Sequence, residues 1–187
     1  VCSSDLDGCR RGAFFCDGCR GAFSSCASAV TLPRHRAIAP LSTAVAGVAA
    51  AVGDNGLDVT GVAHEATIAG STLIACWASD SVEADALSFE SDEIDIYTNS
   101  WGPADDGQTL LGPGPLTLAA FESDAYHGRN GLGNLITWAA GNGLGSGDDS
   151  NYDGYANSRY TVAVTAINHN GEQSYYAEPG ANILVAA

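Results

Sequence analysis

Along this chain the spacing of apolar positions changes from one stretch to the next. Residues 43–53 (TAVAGVAAAVG) are rich in Ala with Val at intervals, which predicts a buried helix. Ser42 or Thr43 would cap its start, and Gly53-Asp54-Asn55-Gly56 would close it. Ala66 to Ala75 (ATIAGSTLIA) is nearly continuously apolar, the pattern of a strand in a parallel sheet covered on both faces. A short helix is expected from Asp80, with Asp80 as cap and Glu83 completing a capping box. Ile94 and Ile96 then alternate with Asp95 and Tyr97, a strand signal. Pro115 to Tyr126 reads as an amphipathic helix with Pro in its first turn. Asn134 to Ala140, Tyr160 to Asn168 and Ala181 to Ala187 read as three more strands. Apolar strands alternating with helices predict a three-layer α/β domain, its sheet mostly parallel and helices on both faces.

The strand at 94–97 runs into Ser100-Trp101-Gly102-Pro103, where Gly and Pro end it and leave an extended edge. Asp105 and Asp106 follow at once, and Gly107 closes the turn. An extended edge beside paired carboxylates suits an extended peptide that carries positive charge. The backbone would pair with the peptide by strand addition while a carboxylate receives the basic side chain. Taken alone, the same residues also read as a solvated acidic turn, a common surface feature.

Charge sharpens that choice. The 187 residues carry a net charge of −15, with 22 acidic side chains against 7 basic. Past residue 36 the basic side chains are only Arg129 and Arg159. Such a surface argues against nucleic-acid binding and for cationic partners such as calcium or basic peptides, although solubility is the commoner reason for acidity. No apolar run is long enough to span a membrane. Cysteine is as lopsided as arginine: Cys2, Cys9, Cys16, Cys19 and Cys26 crowd the start, and Cys76 alone lies in the body. Cys16-Asp17-Gly18-Cys19 with Cys9 and Cys26 could supply four thiolates to zinc. Against that, VCSSDL at the start resembles a translated sequencing adapter, and the repeat DGCRRGAF/DGCRGAF has neither a helix nor a strand period. Residues 1–40 are therefore set apart as artefactual or disordered, and 41–187 are taken as the domain.

Four motifs in order, SWGPADDG, GPGPL, GRNGLGNLITWAAGNG and NYDGYANSRYTVAV, decide the rest. Together they resemble the catalytic domain of the kexin/furin branch of subtilisin-like serine proteases, from about Thr43 to Ala187. The resemblance implies a subtilisin-like α/β domain truncated at both ends. It also implies a secreted or cell-envelope endopeptidase that needs calcium and cuts polypeptides after Arg or Lys. Asn142 matches the oxyanion residue, whose amide donates to the developing alkoxide; such a donor is worth about 2.7–4 kcal/mol. Ser100, Trp101 and Gly102 form the substrate-pairing edge. Asp153 falls at the base of the pocket for the residue just before the cut bond, beside Asp105. Glu83 matches a carboxylate that reads a basic side chain further upstream, in competition with its capping role. Its companion position is Leu111, so basic selection there is expected to be weak. One calcium would sit on Asp105, Asp148 and Glu178. A second would use the Asn55 side chain with the carbonyls of Val52, Leu57 and Val59, unless that loop is only a helix cap and turn.

The same match exposes what is missing. The family's helix here opens on a His that serves as general base, and this chain has Leu41 in that place. Leucine has no lone pair and cannot take a proton from a nucleophile. His35 and His64 stand outside the motif. The family's catalytic Asp belongs upstream of the match and its Ser beyond Ala187. The expectation is a fragment of a serine endopeptidase that is itself inactive. The alternative is a pseudoprotease that binds basic peptides without cutting them.

Overall fold

The computed structural model describes residues 28–30, 40–56, 59–71, 73 and 78–187, with side chains from residue 44 onward. The cysteine-rich segment lies outside the described residues. The strands are β1 (Ser28–Val30), β2 (Ala69–Ser71), β3 (Ile96–Asn99), β4 (Leu135–Ala139), β5 (Thr161–Thr165) and β6 (Ile183–Ala186). They lie side by side in the order β2-β1-β3-β4-β5-β6. From β3 to β6 every pair is parallel, while β1 runs antiparallel to both of its neighbours. Among the described residues of the apolar run 66–75, Ala69–Ser71 pair as a strand, and they pair antiparallel. β1 itself comes from the segment that the sequence sets apart.

Among the described residues three α-helices accompany the sheet: α1 (Pro40–Ala50), α2 (Asp80–Leu87) and α3 (Pro115–Gly131). The register Tyr97↔Ile136 and Asn99↔Trp138 puts the buried residues of β3 and β4 on one face, since ladder partners share a face. Leu87 of α2 and Phe121 of α3 close over that face, joined by Ile94, Tyr155 and Ala163. The alternation expected at 94–97 is out of step with this. Ile94 is buried but precedes β3, whereas Ile96 is 40% exposed and Tyr97 points inward. The Tyr97 hydroxyl tolerates that burial because it donates to the Phe89 carbonyl at 2.9 Å.

The helix starts also differ from expectation. α1 begins at Pro40, ahead of the Ser42 or Thr43 cap, because proline lacks the N–H that a first turn leaves unpaired. The cap of α2 is Ser79, which accepts from the Val82 N–H at 3.4 Å, and not Asp80. The Asp80 carboxylate reaches across to α3 instead. It accepts from the N–H groups of Leu116 and Thr117, each at 2.9 Å, and from the Thr117 hydroxyl at 2.8 Å. The cap position of α3 is Gly114, which offers no side-chain acceptor, so α2 supplies one. The Leu116 N–H, with the Thr117 donors behind it, holds the Asp80 carboxyl below the usual range. α3 also runs beyond Tyr126, through a kink at Gly128, Arg129 and Asn130. No helix among the described residues is long and apolar enough to cross a membrane.

Candidate active site

β3 and β4 are adjacent parallel strands, so the chain leaves both at the same end of the sheet: into Ser100-Trp101-Gly102 after β3 and Ala140-Gly141-Asn142-Gly143 after β4. In open α/β sheets, crevices form outside these carboxyl ends. The Trp138 indole N–H donates to the Trp101 carbonyl at 2.6 Å. The rings of Trp101, Trp138 and Tyr155 meet with centroids 4.6, 4.9 and 5.0 Å apart. Segment 100–102 is thereby fixed on a largely buried aromatic platform.

Five acidic residues, Asp105, Asp148, Asp149, Asp153 and Glu178, line one hollow beside that segment, and among the described residues no basic side chain lines it. Asp105, Asp148 and Glu178 each bring an oxygen within 4.8 Å of the other two; Asp148 and Glu178 are buried and Asp105 is exposed. Backbone donors hold them in place. Glu178 Oε1 accepts from the Gly143 N–H at 2.7 Å, Asp105 Oδ2 from Asn142 at 3.2 Å, and Asp153 Oδ1 from Tyr155 at 2.7 Å. Asp153 Oδ2 lies so near Gly102 that a Cβ there would come within 2.8 Å of it. At Gly141, with φ +106°, a Cβ would strike the Glu178 carboxylate. Asp106 turns the other way and closes its own loop, accepting from the N–H groups of Gln108 and Thr109 at 2.8 and 2.7 Å. Of the paired carboxylates at 105–106, one serves the hollow and one the turn.

The crowding has an electrostatic consequence. Burial pushes the Glu178 carboxyl up to about 7, and the charges of Asp148, Asp105 and Asp153 add to this against the Gly143 donor. Burial likewise lifts Asp153 to about 6, with Asp105 and Asp148 contributing and the N–H groups of Tyr155 and Ala156 opposing. Three converging oxygen donors, two of them buried and short of positive charge, fit a hard divalent cation such as calcium.

Residues 42–187 match the profile of the subtilase family. The chain belongs to the subtilase family. PC3-like endoprotease variant B of Hydra vulgaris is 45% identical over 142 residues, which is 76% of this chain and 20% of that protein. Proprotein convertase subtilisin/kexin type 6 of Homo sapiens is 43% identical over 142 residues, 76% of this chain and 15% of that one. Endoprotease bli-4 of Caenorhabditis elegans is 43% identical over 136 residues, 73% of this chain and 14% of its own length. The chain thus spans a fifth or less of these curated relatives. A solved protease from Pseudoalteromonas arctica superposes with a TM-score of 0.61 at 28% identity, covering 76% of this chain and 42% of that one. The kexin-type likeness and the subtilisin-like α/β fold both stand.

Within this subtilase, Asn142 is exposed, and its side-chain amide lies 3.5 Å from Asp105 Oδ2. Glu83 does not box the start of α2; its carboxylate accepts from the Tyr155 hydroxyl at 2.8 Å. Tyr155 escapes a sequence reading because nothing local links two residues 72 positions apart. Burial, and next the Glu83 bond, pushes the Tyr155 hydroxyl well above its ordinary range. Leu111 is 57% exposed and bridges in parallel to Asp153, its carbonyl accepting from the Gly154 N–H at 2.8 Å. Val52, Asn55 and Val59 sit on an exposed loop folded back on α1 by bonds such as Gly61 N–H to the Ala51 carbonyl at 2.9 Å. Leu57 lies outside the described residues, and so does the side chain of Leu41, in the first turn of α1.

Proposed function

We propose that this chain is part of a calcium-binding serine endopeptidase whose hollow selects a basic residue, Arg or Lys, immediately before the bond to be cut. The observation that carries the reading is five acidic residues gathered beside the 100–102 edge with no basic residue among the described residues lining the hollow. Asp105, Asp148 and Glu178 would hold calcium, which supplies the charge that lets all three remain ionised. Asp153, next to Gly102, would receive a guanidinium or ammonium by a charge-assisted bond. The peptide backbone would run along Ser100, Trp101 and Gly102. Asn142 would turn its amide from Asp105 toward the oxyanion. Glu83 is engaged by Tyr155 and Leu111 is apolar, which supports weak selection of basic residues further upstream. The loop holding Val52, Asn55, Leu57 and Val59 is the second calcium position under this reading. An acidic, lysine-free body fits a secreted or cell-envelope setting, where calcium is plentiful.

Leu41 stands where a general base belongs, so the chain binds such a peptide without cutting it. The test is calorimetric titration, in calcium, with peptides ending in Arg or in Leu. The Arg peptide is expected to bind about tenfold tighter or more, in line with a charged hydrogen bond, and Asp153→Asn to erase the difference. An unchanged Arg preference in Asp153→Asn rejects the assignment, and a burst of product from an Arg-ending ester rejects inactivity. Leu41 also motivates the second reading, a pseudoprotease. Gene sequence with His, Asp and Ser codons restored around the matched region selects the fragment; an intact frame that keeps Leu41 selects the binder.

A further inference from the structure

α3 buries one carboxyl group that the hollow does not use. The buried stripe of this helix is Thr117, Ala120, Phe121, Asp124 and Gly128, so an acid sits among core residues. Asp124 is 1% exposed, and its Oδ2 has no hydrogen-bond partner among the described residues. Directly after the kink, the Asn134 N–H donates to the Asp124 carbonyl at 2.9 Å. The Asn134 side chain, also buried, is committed elsewhere. Its Nδ2 donates to the Ser91 carbonyl at 2.8 Å and to the Ile94 carbonyl, and its Oδ1 is left buried without a partner among the described residues. Turning that amide over would strand two carbonyls to satisfy one oxygen. The junction of α3 with β4 therefore buries two acceptor oxygens and lacks a donor for either, an arrangement that folded proteins avoid.

Among the described residues the surroundings supply no free positive charge. From β3 comes Tyr97, whose hydroxyl is spent on Phe89, and near Tyr97 stands Glu90. α2 contributes Asp80, bound to the start of α3, Glu83, bound to Tyr155, and Asp85, which is exposed. β4 (LITWA) has no titratable side chain. On α3 itself Glu122 and His127 are exposed, and the Arg129 guanidinium is engaged by Asp95 at 2.9 Å and by the Gly133 carbonyl at 3.3 Å.

We infer that Asp124 is held as the neutral acid in the folded protein and that its proton is the missing donor, making the α3–β4 junction a pH-sensitive joint that is firm in mildly acidic surroundings and loosens toward neutrality. A carboxylate deprived of water, donors and cations is the costliest thing this junction could bury, and a proton removes the charge without needing space. Burial, the dominant influence on this group, pushes its carboxyl up to about 7 from an ordinary 3.8. The direction follows by linkage. Between those values the unfolded chain ionises while the folded one keeps its proton. The stabilisation is complete below about 4, shrinks as pH climbs, and is gone once pH passes about 7. The part that must yield is the kink, where Arg129 and Asn130 already hold left-handed backbone (φ 52° and 56°), and β4 leads from it to the Asn142 loop.

The test compares thermal unfolding of the 187-residue chain and of Asp124→Asn, which mimics the neutral acid, from pH 5 to pH 8. The wild-type midpoint, measured relative to the variant, is expected to fall by roughly 5–10 °C across that range. The other carboxyls titrate in both proteins and cancel in the difference. A difference that stays constant with pH overturns the inference. Should Asp124→Asn not fold, amide exchange in the unaltered chain carries the test. Intrinsic-rate-corrected protection at Gly133 and Asn134 is expected to drop about tenfold or more between pH 5 and 8, relative to β5. Protection that is level with pH there overturns it equally.

Discussion

At the carboxyl ends of β3 and β4, buried acids come as a group, with backbone N–H groups aimed at them and an opening to solvent; beneath α3, one buried acid stands by itself. Glu178 and Asp124 are both pushed to about 7, chiefly by burial in each case. Company makes the difference. Glu178 has Asp148 and Asp105 within reach of one shared ion and a donor from Gly143. Asp124 has a kinked helix end and another orphaned acceptor. The first arrangement can be relieved by a metal ion that several oxygens share, and the second only by a proton. A raised pKa therefore does not say what a site is for; the geometry of its neighbours does.

That contrast can be broken in three ways. The largest effect is expected from Glu178→Gln, which removes one of the three carboxylates proposed to hold calcium and should weaken calcium binding by about 100-fold or more. Asp124→Asn should leave calcium affinity unchanged, and calorimetry that finds equal losses would show the two regions coupled. Next comes the proton count on calcium binding. At pH 6 Glu178 is mostly protonated and Asp153 partly so, and a cation must displace those protons. At pH 8 both are ionised already. Titration in buffers of different ionisation enthalpy should show up to about one proton released at pH 6 and almost none at pH 8. Equal release at both values would mean that these carboxyls are not raised. The smallest effect is expected from Tyr155→Phe, which removes the bond to Glu83 and should cost about 0.5–1.5 kcal/mol in urea unfolding. The same change frees Glu83, so binding of a peptide with a second, upstream Arg should improve slightly; no gain would mean that Glu83 faces away from the peptide path.

Much of the frame was legible because burial imposes a period. The runs at 134–140 and 160–168 contain the strands they predict, the run at 115–126 makes up most of α3, and their inward residues meet in one core. Where tertiary contacts overrode local grammar, reading failed. Asp80 followed by Glu83 spells a capping box, yet Asp80 caps a different helix and Glu83 answers a tyrosine far along the chain. Asp105 and Asp106 are indistinguishable as letters; only the turn between Asp106 and Thr109 separates their duties. Asp105, Asp148, Asp153 and Glu178 became readable through ordered motifs, not through spacing, since they come from loops that the sheet brings together. Asp124 was legible in principle: it stands three residues after Phe121 and seven after Thr117, in phase with the buried stripe. An acid at such a position is the signal a periodicity reading can use.

The aromatic platform beneath the 100–102 edge has a practical consequence. It contains two of the three tryptophans in the chain, Trp101 only partly covered and Trp138 almost wholly so. Their indoles touch each other and stand one hydrogen bond from the backbone on which an extended peptide would lie. Occupancy of that edge by the proposed peptide would alter the solvent around Trp101, so the molecule's own ultraviolet emission would serve as a label-free gauge of loading.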